Sequence, residues 1–189
     1  MIYESLKYIA DSLDNHLRNK YRTDESWVQL NSILGQDGSV PEENRNKIIL
    51  TLVSLEHESA TQSSSAGRRT LNSFSPYAPP LSFNLNIIFS ALFNKYDEGL
   101  KFLSDTICFF QSKPIINPQN SPGLDPKIHQ LGLEVVKLSY SETYNLWASI
   151  GAKYIPSIPF KLRMLCFQGE EIESIVPTIN QQGVEVHRV

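Results

Sequence analysis

The sequence contains no apolar run approaching the roughly 20 residues that a membrane-spanning helix requires, and no long block of one charge. Its 189 residues hold 17 Lys+Arg against 20 Asp+Glu, a formal net charge of −3. Without a basic excess, general binding to a nucleic-acid backbone is disfavoured. Cysteine is scarce: Cys108 and Cys166 both sit in apolar segments, where a free thiol packs as a small hydrophobe. One pair is no disulfide framework, and its spacing fits no zinc signature. The opening Met1-Ile2-Tyr3-Glu4 lacks the basic start, apolar core and cleavage site of a secretory signal, so synthesis and folding in the cytoplasm are expected.

Catalytic signatures are missing as well. There is no G-x-S-x-G, no G-x-x-x-x-G-K-[ST] and no G-x-G-x-x-G, so nucleophile-elbow, P-loop and dinucleotide readings have no anchor. His16, His57, His129 and His187 are scattered. Glu56-His57-Glu58 invites a metal reading, but a strand sends neighbouring side chains to opposite faces, and a solvated strand end explains it better. No catalytic, cofactor-binding or metal-ligating residue is therefore assigned, and no cofactor is expected.

What is present is a chain with 41% hydrophobic residues, long enough to bury about 70% of its unfolded surface in one core. Ile2, Leu6, Ile9, Leu13 and Leu17 recur at intervals of four and three, which predicts a helix ending near residues 19–22, with Asp14 and Arg18 as an i,i+4 pair. Residues 27–31 suit a short strand. Residues 47–55 read as a central strand covered on both faces. In the alternating run 81–89, Leu81, Phe83, Leu85, Ile87 and Phe89 share one face, while Ser82, Asn84 and Asn86 meet water or another subunit. A helix from Asp97 to about Ser112 carries Leu100, Leu103, Ile107 and Phe110 on one stripe. A strand over 131–138 precedes a capping box at Ser139 and Glu142, a helix ended by Gly151, and a last strand over 158–167. Tyr140, Tyr144, Trp147 and Tyr154 form an aromatic cluster whose default role is core packing, with a contact surface as the alternative.

Two segments differ in kind. Residues 59–80 hold six serines, three prolines and no carboxylate, with Arg68 and Arg69 adjacent; this is expected to be a mobile insertion loop. Its arginines suit a phosphate, a partner's carboxylates, or plain solubility. The second segment is the tail over 169–189, opened by Glu170, Glu171 and Glu173. The organisation expected is one α+β domain over 1–168, a mixed sheet with helices packed on it, followed by that tail.

Three stretches together carry a family resemblance: residues 1–9, the strand pair 48–55 and 81–89, and residues 133–165. The last includes Ser139-Tyr140-Ser141-Glu142, Leu146-Trp147-Ala148-Ser149-Ile150-Gly151 and Lys153-Tyr154-Ile155-Pro156-Ser157. The set resembles the cap, or tail-terminator, family of extracellular contractile injection systems, of the antifeeding-prophage and Photorhabdus virulence-cassette type. The resemblance implies a phage tail-terminator fold and a non-enzymatic structural role. It also implies a ring, a homohexamer, that ends the inner tube and anchors the last sheath ring. The partners implied are the chain itself, the tube and sheath subunits, and another cap subunit if this chain is an adaptor. The particle so capped is phage tail-like, assembled in the cytoplasm, and either released or membrane-anchored. A ring needs two different patches on each subunit. Candidate contact residues are Arg68, Arg69 and Tyr77 on the insertion, Asn84 and Asn86 on the strand, and Glu170, Glu171 and Glu173 on the tail. The loop over 113–127 is a further unburied segment, and insertion and tail are expected as arms that order on assembly. The alternative of another class is an α+β ligand-binding domain or enzyme.

Overall fold

The computed structural model describes residues 1–58, 68–70, 73–75, 81–167 and 176–177. Tyr77, Glu170, Glu171 and Glu173 lie outside them. The chain divides into two compact units, Met1–Glu58 with Phe83–Leu165, and Ser59–Ser82 with Cys166–Val189.

The larger unit opens with α1 (Ile2–Tyr21), whose buried face is Leu6, Ile9, Ala10, Leu13 and Leu17. It stops at Arg22, which adopts the left-handed conformation with φ 53° and donates its N–H to the Arg18 carbonyl. Asp14 does not pair with Arg18. Its Oδ1 accepts the backbone N–H groups of Trp27 (2.6 Å) and Val28 (3.0 Å), which fixes the start of β1 (Val28–Leu30); Arg18 lies 3.7 Å from Asp24 instead. A short 3-10 helix, Glu42–Asn44, leads into β2 (Lys47–His57).

β1 runs parallel to β2, and β2 runs antiparallel to β5 (Leu81–Leu92). With α2 (Tyr96–Ser112), β6 (Ile115–Ile116), β7 (Leu131–Val135), α3 (Tyr140–Ile150) and β8 (Ser157–Phe167), the six-stranded mixed sheet has the order β1-β2-β5-β8-β7-β6. Helices cover both faces. Phe89 of β5 meets Phe110 of α2 and Phe160 of β8 at ring distances of 5.1 and 5.6 Å, whereas the next residue back, Ile88, clusters with Ile33 and Trp147 of α3. Neighbouring strand residues point to opposite faces, so α2 and α3 flank the sheet. Asp105 ties α2 to α1 by accepting the Tyr21 hydroxyl at 2.7 Å and pairing with Lys20. Burial, and secondarily that hydrogen bond, push the Tyr21 pKa up to about 12.

Four expectations need correcting. β2 is buried only over Ile48–Leu50 and exposed from Ser54 to His57, because β1 is short and pairs only with Ile48, Ile49 and Leu50. On β5, Asn84 is 2% exposed and donates to Glu58 at 3.1 Å, so it does not face solvent, while Leu81 does. On α2 the inward face is Gly99, Phe102, Thr106, Phe109 and Phe110. Leu100 and Ile107 point outward, because Phe102 and Phe109 bury more area per side chain against α1 and the sheet. Cys108 is exposed, not packed in the core.

In the smaller unit, β3 (Arg68–Thr70) and β4 (Ser73–Ser75) form an antiparallel hairpin, and β4 pairs with β9 (Val176–Pro177). The insertion, read from sequence as a loop, thus contains two strands, and one of them pairs with a strand of the tail.

Candidate functional site

The most distinctive surface of the larger unit is built around α3. Ser139 caps this helix: its Oγ accepts the Glu142 N–H at 3.3 Å, and Glu142 Oε2 accepts the Ser139 N–H at 2.7 Å. The Ser139 N–H, and secondarily the Ser139 hydroxyl donating to Glu142 Oε2 at 2.7 Å, hold the Glu142 carboxyl below its ordinary range. Gly151 ends the helix at φ 76°, a conformation that glycine adopts at little cost.

With both ends fixed, the stripe Tyr140, Tyr144 and Trp147 faces away from the sheet at its start and into it at its end. Tyr140 is 98% exposed, Tyr144 74% and Tyr154 63%, whereas Trp147 is 4% exposed. The core reading of this aromatic cluster therefore holds for Trp147 alone. Trp147 meets Tyr154 edge-on at 5.7 Å. These side chains, with Leu138 and Lys153, line an open groove of about 920 Å³.

Two features of the groove are chemically incomplete. The Trp147 indole N–H is buried and has no acceptor among the described residues. Lys153 is the single charged lining residue, is exposed, and forms no ion pair among the described residues. A segment that packs on aromatic faces, with a carboxylate at the rim, is what such a groove is equipped to take. Apolar exposure continues past it: Tyr154 also lines a smaller recess of about 200 Å³ with Tyr96, and Tyr96, Leu100 and Ile107 form the outward stripe of α2.

The candidate residues named from sequence are distributed differently. Arg68 and Arg69 lie on β3 of the smaller unit. Asn84 is buried, and Asn86 is half-buried, donating to Ser54 Oγ at 3.1 Å. Neither asparagine lines the groove. Glu56 is paired with Lys161 at 2.7 Å, and among the described residues no three His, Cys, Asp or Glu side chains gather as a metal site. Also among these residues, no helix is long and apolar enough to cross a membrane. The aromatic cluster and the cap before it were named from sequence, with core packing as the default; the alternative, a contact surface, fits the exposed Tyr140, Tyr144 and Tyr154.

The profile of the Pvc16 N-terminal domain family matches residues 7–181. The chain belongs to that family. No curated protein matches this Pvc16 N-terminal domain. Among solved structures, it is similar to the sheath/tube terminator of the PVC extracellular contractile injection system in its extended state, with a TM-score of 0.56 and 10% identity. It is also similar to the anti-feeding prophage cap, a tube-terminating cap, with a TM-score of 0.58 and 9% identity. The alignments cover 96% and 93% of this chain but 63% and 60% of those chains. At such identities the likeness establishes the fold, so the α+β terminator architecture and the cap/terminator resemblance read from sequence both hold.

Proposed function

We propose that this Pvc16 N-terminal domain is a non-enzymatic structural subunit that assembles head-to-tail into a closed ring and ends the inner tube of a contractile injection system. The observation that carries the reading is the family match over residues 7–181, reinforced by the shared fold with two tube-ending proteins. Physically, a growing tube ends in a ring that recruits the next identical ring. A terminator matches that surface on one side and offers nothing that propagates on the other. Six copies, contact with the last sheath ring, and assembly in the cytoplasm on a phage tail-like particle complete the proposal. The candidate contacts at Arg68, Arg69, Tyr77, Asn86, Glu170, Glu171 and Glu173 belong to it; Asn84, being buried, acts only by supporting its neighbours.

The test is to incubate the purified chain with isolated tubes and locate it by negative-stain imaging, with light scattering for its mass. Rings of about six subunits on one tube end are expected. Decoration along tube walls, or indifference to tubes, overturns the terminator role; a requirement for a second cap protein converts it to an adaptor.

A further inference from the structure

The groove along α3 and the proline-bearing loop before β7 are complementary in chemistry and lie at opposite ends of one strand. The loop over 114–126 carries Pro114, Pro118, Pro122 and Pro126, one at every fourth position and all exposed. It is held in a fixed shape. Ile116, Ser121, Leu124 and Ile128 are buried beneath it, Asn117 Oδ1 accepts the Gln119 and Asn120 N–H groups at 3.1 Å, and Asp125 Oδ1 accepts the Lys127 N–H at 2.8 Å. Asp125 is the sole charged residue between Pro114 and Pro126 and has no ion-pair partner among the described residues.

The groove offers the converse: exposed tyrosine faces, and Lys153 without a counter-charge among the described residues. Proline rings pack well on aromatic faces. Within one chain the two cannot meet. The loop enters β7 at Leu131, whereas the α3 segment leaves from Val135 and returns as β8, whose Phe160 is opposite Val135; the separation along β7 is roughly 14 Å. Two unlike patches at opposite ends of a strand are what a head-to-tail contact requires.

We propose that the α3 groove of one copy receives the Pro122–Pro126 segment of a second copy, with Asp125 pairing to Lys153 and the proline rings lying on the exposed faces of Tyr140 and Tyr144. This rests on the ring reading and supplies its subunit contact. Because the loop is already shaped by buried anchors, little ordering is lost on docking.

Two measurements on the full chain test it. In sedimentation, Lys153→Asp or Asp125→Lys alone is expected to weaken self-association about tenfold, and the double exchange to restore it. Tyr144→Ala, at the centre of the contact, is expected to weaken it about thirtyfold. Unchanged association in the single variants, or a double exchange that fails to restore it, overturns the proposal. The second measurement is independent of rings: a synthetic peptide of residues 117–128 is titrated into the Trp27→Phe chain and followed by Trp147 fluorescence. Saturable binding that Lys153→Asp removes supports the groove contact, and absence of binding overturns it. If the chain is monomeric at every concentration but the peptide binds, self-assembly of the free subunit fails while the contact stands.

Discussion

Single residues fix the ends of elements in this fold, and each makes a separable claim. Ser139 supplies an N-cap whose removal costs about 1 kcal/mol in comparable helices. Ser139→Ala should therefore lower the melting temperature by about 3 °C in a chain of this size, read by calorimetry. Glu142 adds a pH signature. Its folded carboxyl is held below the ordinary 4.5, so its contribution is complete above that value and is lost as pH falls through the depressed folded value. Glu56, held down mainly by its hydrogen bond from Lys161, acts in the same sense. His16, whose pKa is lowered chiefly by burial, begins to weaken the fold as pH drops below 6.5. Acid unfolding followed by circular dichroism should accordingly show a shallow loss below pH 6.5 and a steeper one below 4.5, the latter reduced in Glu142→Gln. Asp14 is more consequential, since one carboxylate oxygen satisfies two backbone donors. Asp14→Ala should cost about 2 kcal/mol, measurable as a lower urea midpoint.

At the scale of elements, α2 shows how a correct helix can carry the wrong face in a sequence reading. Leu100, Leu103, Ile107 and Phe110 satisfy helical spacing, and so do Phe102, Thr106, Phe109 and Phe110. Periodicity alone does not choose between two overlapping apolar stripes; the aromatic one lies inward, where Phe102 stacks on Phe93 at 4.9 Å and Phe109 on His16 at 4.8 Å. The choice is testable by comparing Ile107→Ser with Phe110→Ala in denaturant. The first should shift stability by less than about 0.5 kcal/mol, the second by about 3–5 kcal/mol. Elements with explicit end signals were legible to within a residue or two: α1, the capped α3, and the strands β1, β2 and β8; β5 runs three residues longer than expected and β7 ends three residues sooner. The candidate site was legible as a cluster but not in its orientation. Tyr140 and Tyr144 share the stripe of the buried Trp147, and spacing does not show that Trp147 alone reaches Ile33 and Ile88. Asn84 failed in the opposite direction, because a polar residue on an alternating strand looks solvated until a partner such as Glu58 is placed beside it.

For the whole molecule, the two-patch arrangement sets how assembly responds to solvent. A contact made of aromatic area with one ion pair loses only the screened Coulomb part as salt rises. Raising ionic strength from about 0.05 to about 1 M should therefore weaken self-association only a few-fold in sedimentation experiments. A contact dominated by arginine–carboxylate pairs between insertion and tail would instead fall by orders of magnitude. That difference separates the α3 groove from Arg68, Arg69 and the glutamates of the tail as the main source of ring cohesion.

The position of β8 has a consequence for how such subunits are made. The last strand of the sheet in chain order occupies an interior place, between β5 and β7. While the ribosome is still building residues 157–167, β5 has one open edge, and the β6–β7 ribbon has no sheet to join. The proline loop and the groove are both hung on β7, so neither acquires its final position until that strand is inserted. On the proposed ring reading, an unfinished copy thus has no formed patch with which to compete for a tube end. Competence to join a ring would then wait on the last strand of the six-stranded sheet, which would keep products truncated before it out of the assembly without any separate proofreading factor.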